Sequence, residues 1–481
     1  MTTQYDAIDL EILNSKLVSI IEEASLTLLR TCYSSIVRDS RDFTCTLLDN
    51  TGHLLAQAPS SLPAFTATMP RTVRACLQKF PVSTLNEGDV LITNDPWIAI
   101  GHLNDVCIVT PIWYQGNVVA FAANAANVAD IGGRIMGAQG ASIYEEGIQI
   151  PILKLYDRGT LKTDILDIIR QNVRMSDQVL GDIRAQIASN QTCARRLVEF
   201  IDESGIIDFT SLSTAIQGRS EEAMRRAILE IPDGEYSHVS YTHGYDEEIR
   251  IQLKLIVKGD QIVVDYEGTS PEVNRGINSV LNYTFAYTAY TIKCVIAPHI
   301  PNNEGCFRPI TVVAPERTIV NPVYPAPVAA RSQTGKFLPI PVMRALAQAM
   351  PDKVIADSGS APLWCPSFSV RDPETRNTVT HTSMLTGGFG ARASADGISA
   401  IDFPSVIVNV PAELHEHRFP VLIRRWNLIP DSGGAGRHRG GMGFDFEMQN
   451  ISGEPITASL RCERTEHPAE GVAGGSPGSL G

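Results

Sequence analysis

A long helical block, residues 161–230, separates two strand-rich stretches, and that order leaves few architectures open. Apolar residues recur at helical spacing over 161–172, 175–203 and 209–229, and Pro232-Asp233-Gly234 closes the block with turn chemistry. Before the block, residues 7–30 read as one amphipathic helix with Ile8, Ile12, Leu17, Ile20, Ala24 and Leu28 on one face. A hairpin is predicted for 44–48 and 53–56 across Asp49-Asn50-Thr51-Gly52, then a helix over 69–80. Strands are predicted over 90–93, 107–113 and 118–123. After the block, 249–258 and 261–266 flank Gly259-Asp260 as a second hairpin, and 280–297 and 337–350 read as helices. Short strands are expected at 311–314 and 318–320, and strand and turn with much glycine beyond 355. Helices alternate with hairpins and not with single parallel strands. The expectation is an α+β chain of mixed multi-domain architecture, with mainly antiparallel sheets and a helical segment. It would divide into an N-terminal α+β region (1–160), the helical segment (161–232) and a C-terminal β-rich α+β region (233–481).

Several function classes are disfavoured. The net charge of −13 comes without a basic stripe, which argues against nucleic acid. No apolar run reaches the roughly 18 residues a membrane helix needs. The opening MTTQYDAIDLEIL lacks the basic and apolar regions of a signal peptide. The nine cysteines form no C-x-x-C pair and have irregular spacing, so a disulfide framework is not expected and a reducing cytoplasm fits best. There is no G-x-x-x-x-G-K-[ST] loop and no strand-linked G-x-G-x-x-G, hence no Rossmann or P-loop unit. Nor is there a nucleophile elbow or an H-E-x-x-H.

Three segments carry chemistry. Asn94-Asp95-Pro96-Trp97 and Gly101-His102-Leu103-Asn104-Asp105 fall between two predicted strands. Imidazole and carboxylate three residues apart suit Zn²⁺ or Mn²⁺, although Asx-rich turns produce the same pattern with His102 bonded to backbone. Asn127-Val128-Ala129-Asp130 follows a neighbouring strand, so Asp130 can converge on the same place. Arg38-Asp39-Ser40-Arg41-Asp42 reads either as a solvated face or as a source of one more ligand, Asp42. In the third segment, Pro430 to Gly441, five glycines accompany Arg437 and Arg439. It suits either an anion cradle or a tight irregular turn, and Thr386 to Arg392 is similar.

Taken together, the motifs resemble the hydantoinase B/oxoprolinase family. The resemblance runs from about residue 7 to the end, through RDF (41–43), NDPW (94–97), GHLND (101–105) and DIGG (130–133). It continues through YEEGIQIP (144–151), RMSDQVLGDIRAQIASN (174–190), NEGCFRPI (303–310), APVAARSQTG (326–335), ALAQAMPD (345–352) and PDSGGAGRHRGG (430–441). It implies a B-type subunit of a hetero-oligomer whose A-type partner binds ATP and phosphorylates a hydantoin, 5-oxoproline or lactam before the ring opens. Related enzymes carboxylate acetone or acetophenone, which is the alternative activity; a metal-less scaffold is the non-catalytic one. The resemblance also implies a divalent metal held by Asp42, His102, Asp105 and the residue at 127, with Asp130 and Asp95 as candidate catalytic carboxylates. The family usually has histidine where Asn127 stands, and histidines usual after the first hairpin are missing from Ser60-Ser61-Leu62-Pro63-Ala64-Phe65. Both departures imply a weaker, different or missing metal. Relatives typically continue past the position of Gly481, which reads as a truncated or divergent member.

Overall fold

The computed structural model describes residues 5–62, 65, 67–206, 208–371, 376–405 and 407–481. Pro63 and Ala64, in the loop where the histidines are missing, lie outside the described residues. The backbone forms two compact units. The first comprises Met1–Ile131, Ile148–Glu230 and Ala297–Thr311, and the second Gly132–Gly147, Ile231–Ile296 and Val312–Gly481.

The first unit opens with helix α1 (Ala7–Thr31), which starts where Asp6 Oδ1 accepts the N–H groups of Ile8 and Asp9, each at 2.8 Å. Its buried stripe is Leu10, Leu17, Ile20, Ile21, Ala24 and Leu28. Strands β1 (Phe43–Asp49) and β2 (Leu54–Gln57), helix α2 (Met69–Lys79) and strands β3 (Val90–Thr93), β4 (Asp105–Tyr114) and β5 (Asn117–Asn127) follow. Then come β6 (Leu153–Asp157), β7 (Thr160–Leu161) and helices α3 (Thr163–Asn172), α4 (Ser176–Ser204) and α5 (Phe209–Ile228). The sheet runs β2-β1-β5-β4-β3-β6-β7, and its pairings are antiparallel.

Strand β5 is buried nearly from end to end and is rich in alanine (Ala120, Ala122, Ala123, Ala125, Ala126). Small side chains suit a central strand whose faces are both covered. Helix α4 packs on β4, β5 and α1, and the shared core joins Leu17, Ile21 and Leu28 to Phe43, Leu47, Leu197 and Phe200. The helices of 161–232 are therefore part of this unit and not a body of their own.

In the second unit, β8 (Gly234–Thr242), β9 (Ile249–Lys258) and β10 (Gln261–Asp265) precede helix α6 (Leu281–Ile296), strand β11 (Ile310–Val313) and helix α7 (Pro339–Ala347). Their sheet is ordered β11-β10-β9-β8. Alternation along β9 buries Ile249, Ile251, Leu253, Leu255 and Val257, the face on which α7 rests. The remainder is β12 (Ser367–Arg371), β13 (Thr378–Thr382), helix α8 (Ala412–Arg418), β14 (Val421–Leu428), β15 (Phe444–Asn450) and β16 (Thr457–Ser459). These strands form a β13-β12-β16 sheet and a β14-β15 hairpin, which share a small core of Phe368, Val370, Phe419 and Val421.

The architecture is α+β with mainly antiparallel sheets, as the pattern predicts. Two local expectations change. Residues 318–320 form no strand; Thr318 makes only isolated bridges, to Pro271 and Asn321. Strand β8 begins at Gly234, in the predicted turn; its mixed burial carries no clean alternation for a sequence reading to find. Among the described residues, no helix is long and apolar enough to cross a membrane.

Candidate functional site

Sheet register brings the separated N-terminal motifs together. Phe43 faces Ala126 across β1 and β5, and one step earlier Asn127 N–H donates to the Asp42 carbonyl at 3.1 Å. On the other side of β5, Asn127 faces Asp105 of β4. Asp42, Asn127 and Asp105 thus form one row across three adjacent strands, and such a row projects from a single sheet face. Asn127 Nδ2 donates to Asp42 Oδ2 at 3.1 Å, and His102 Nε2 lies 3.0 Å from Asp105 Oδ2. All four residues are buried, at 5% exposure for Asp42, 2% for His102, 0% for Asp105 and 4% for Asn127.

The loop that supplies His102 is fixed by backbone chemistry. Gly101 sits at φ 106°, a conformation glycine reaches without strain. Asn94, wholly buried, donates from Nδ2 to the carbonyls of Leu103 (2.8 Å) and Ile148 (3.0 Å), and its Oδ1 accepts Ile150 N–H at 2.6 Å. The asparagine of the NDPW motif therefore ties the GHLND loop to the chain beside it.

Buried carboxylates are costly unless cations or strong donors meet them. His102 serves Asp105, and the Asn127 amide serves Asp42. Asn127 Oδ1 is a buried acceptor with no hydrogen-bond partner among the described residues. Two carboxylates, an imidazole and a carboxamide oxygen form a donor set that suits a divalent cation of intermediate hardness. Among the described residues, no three His, Cys, Asp or Glu side chains gather as a metal-holding group, so Asp42, His102 and Asp105 do not by themselves form one in this arrangement.

The two candidate catalytic carboxylates differ. Asp130 is clamped: Arg174 Nε donates to its Oδ1 at 3.0 Å, Arg174 Nη2 reaches the same oxygen, and the Arg174 backbone N–H takes Oδ2. Those oxygens are committed to holding the chain after β5, which suits positioning better than proton transfer. Asp95 is only partly buried, and its Oδ1 accepts Trp97 N–H at 3.0 Å. Desolvation raises its pKa, and the Trp97 N–H opposes the rise.

Behind the row, α4 presents a polar stripe to the sheet. Asp182, Gln186 and Asn190 lie four residues apart on one helix face and are all buried. Gln186 Nε2 donates to the Val106 carbonyl at 2.8 Å and to Asn124 Oδ1 at 3.1 Å. Asn124 Nδ2 returns bonds to the Gln186 carbonyl (2.7 Å) and Asn190 Oδ1 (2.9 Å). Asp182 Oδ1 takes the N–H groups of Tyr33 (2.7 Å) and Ser34 (3.1 Å). This network explains the RMSDQVLGDIRAQIASN motif as the fastening that holds the sheet behind the row. Sequence reading missed it, although polar residues at helical spacing inside an apolar helix face were its signal.

The glycine-rich segments of the second unit pack on each other. A Cβ on Gly388 would stand 2.1 Å from the Gly441 carbonyl oxygen, and one on Gly433 2.2 Å from that of Gly440. Backbone N–H groups are already used there: Gly440 donates to Gly434, Gly441 to Phe389 and Arg439 to Asp396 Oδ1. Arg439 Nε is also 3.6 Å from Asp396 Oδ2, whereas Arg437 is exposed beside a cavity of about 510 Å³. Close loop packing accounts for most of this glycine.

Comparison with known proteins agrees with this organisation. The sequence profile of the hydantoinase B/oxoprolinase family matches residues 6–481. A D-/L-hydantoinase B-type polypeptide from Pseudomonas sp. strain NS671 is 32% identical over 93% of this chain and 78% of its own length. The crystal structure of the ATP-dependent caprolactamase from Pseudomonas jessenii superposes with a TM-score of 0.86 at 28% identity, covering 93% of this chain and 79% of that one. A nucleotide-free acetone carboxylase structure gives 0.87 at 19% identity over 98% of this chain and 66% of that one, a likeness of fold alone. Matched along nearly its whole length and carrying the motifs of the buried row, the chain belongs to the hydantoinase B/oxoprolinase family.

Proposed function

We propose that this chain is the B-type subunit of an ATP-dependent enzyme that opens a cyclic amide (a hydantoin, 5-oxoproline or a lactam) together with an A-type subunit that binds ATP. Its similarity to a hydantoinase subunit and to an ATP-dependent caprolactamase supports the substrate class. The observation that carries the chemistry is the buried row of Asp42, Asn127 and Asp105 with His102 against it. A row of this composition would hold a divalent cation, Zn²⁺ or Mn²⁺, through Asp42, His102, Asp105 and Asn127 Oδ1. Such an ion supplies Lewis acidity toward an amide or phosphoryl oxygen.

Amide resonance protects the ring C–N bond, and phosphorylation of the amide oxygen by the partner would remove that protection. The chain's own residues then orient and move protons. Asp95, with its raised pKa, holds a proton more readily than an exposed aspartate and would be the carboxyl to exchange it. Asp130, clamped by Arg174, fixes the turn that follows Asn127. Arg437 and Arg439, both in the second unit, would attract an anion there. The nine cysteines, none of them in a disulfide, suit a reducing cytoplasm.

The test is to copurify the chain with its A-type subunit and measure bound metal together with ATP-coupled opening of hydantoin, 5-oxoproline and caprolactam. One metal per chain, lost with activity in His102→Ala, is the expected result. ATP use that requires bicarbonate would replace hydrolysis with carboxylation. Absence of both metal and turnover would leave a scaffold.

A further inference from the structure

We infer that the second unit binds a small molecule with an apolar body and one oxyanion group, a carboxylate or a phosphate ester, using Arg464 as its buried cation. The cavity of about 510 Å³ lies wholly within that unit, and Arg464 lines it. That volume falls in the range of small-molecule pockets. Trp364, Leu385, Phe389, Phe444 and Val472 give it apolar walls, glycines line much of the remainder, and Arg392, His438, Asp352, Asp357 and Glu470 add charged or polar side chains.

Arg464 is an unusual residue to leave there. It is only 5% exposed, and its backbone adopts φ 67°. The guanidinium centre lies 5.3 Å from the Phe337 ring centroid, and Nη2 donates to the Ser358 carbonyl at a long 3.3 Å. Its Nε is buried with no hydrogen-bond partner among the described residues. A guanidinium has five donors, and burying them unanswered is expensive.

The acids around it already serve other donors, and Glu463 Oε1 also accepts the Arg464 backbone N–H at 3.4 Å. Asp357 Oδ1 accepts Arg344 Nε at 3.0 Å, and its Oδ2 accepts Glu470 N–H at 3.2 Å. The Glu470 carboxylate lies 3.5 Å from Arg344 Nη2, and Glu463 Oε1 accepts His243 N–H at 3.1 Å. A ligand oxyanion is the group that would satisfy the open side of Arg464, through the paired geometry guanidinium offers. Arg437 at the cavity, exposed, adds attraction on approach. The inference stands apart from the buried row of the first unit.

The test is calorimetric titration of the intact chain with phenylacetate, phenyl phosphate, the neutral isostere phenylacetamide, and inorganic phosphate alone. Phenylacetate or phenyl phosphate should bind at one site, about tenfold or more tighter than phenylacetamide. The tighter of the two identifies the oxyanion. Arg464→Gln should abolish that preference. Val472→Trp, which adds bulk to the apolar wall and keeps the arginine, should abolish binding and guards against a misfolded arginine variant. Equal binding of anion and amide overturns the inference, as does inorganic phosphate binding as well as the apolar anions. So does full affinity in Val472→Trp, or no binding of either apolar anion.

Discussion

Removing the Arg174 guanidinium should loosen the chain after β5 more than removing the Asp130 charge does. Asp130 has a side chain only 3% exposed, against 26% for Arg174. Arg174→Gln takes the charged donors from a buried carboxylate and leaves it the residue-174 backbone N–H among its donors. Breaking a buried pair this way costs about 3–5 kcal/mol. The remaining N–H and the partial exposure of Arg174 place the expected loss at the low end, about 3 kcal/mol. Asp130→Asn instead leaves the cation, which can turn to water, and should cost about 1–2 kcal/mol. The double variant should cost less than the sum, by a coupling of about 1–2 kcal/mol. The effect is local, so amide exchange is the better assay, read over residues 127–134 and 172–178. A loss near 3 kcal/mol raises local exchange about a hundredfold. Unchanged exchange in Arg174→Gln, with activity lost only in Asp130→Asn, would refute the clamp and return Asp130 to the role of general base.

Other perturbations read separate parts of the structure. Asn127→His adds an imidazole between Asp42 and Asp105 and should tighten the hold on Zn²⁺ or Mn²⁺, so that the metal survives a chelator concentration that strips the native chain; equal loss from both proteins would count against the row as a metal site. A Cβ at Gly181 would lie 2.5 Å from the Tyr33 ring, so Gly181→Ala should cost about 1–3 kcal/mol in urea, recovered in part by adding Tyr33→Ala. Glu146, whose Oε1 accepts the N–H groups of Val328 and Ala329, is pushed up to about 8 by burial against those two bonds. The folded state then holds the extra proton, so stability declines as pH rises from about 4.5 toward 8. Glu146→Gln should flatten that decline, and parallel urea midpoints for the two proteins from pH 5 to 8 would contradict it.

The legible parts were those with local periodicity or turn chemistry. Alternation in 249–258 and glycine at 259 announce the β9–β10 hairpin, and the spacing of Leu17, Ile20, Ala24 and Leu28 announces α1, although Ile8 and Ile12 of the same series are exposed and Leu10 is buried in their place. The convergence of Asp42, His102, Asp105 and Asn127 was readable only as a possibility of neighbouring loops. Its content is the register that sets Asp105 opposite Asn127, and register belongs to pairing between strands, not to either strand alone. Asp130 shows the limit most clearly. As a carboxylate close to a glycine pair it suggests a base, yet its fate is decided by Arg174, 44 residues on. The same holds for Gln186, which looks like one polar residue in a helix until Val106 and Asn124 stand beneath it. In each case the side chain announces a need for a partner, and only the fold names the partner. Polar residues that the apolar pattern cannot explain are therefore where a sequence of this kind should be read for function. Whether such a residue acts or fastens follows from how many of its lone pairs and protons the folded chain has already used.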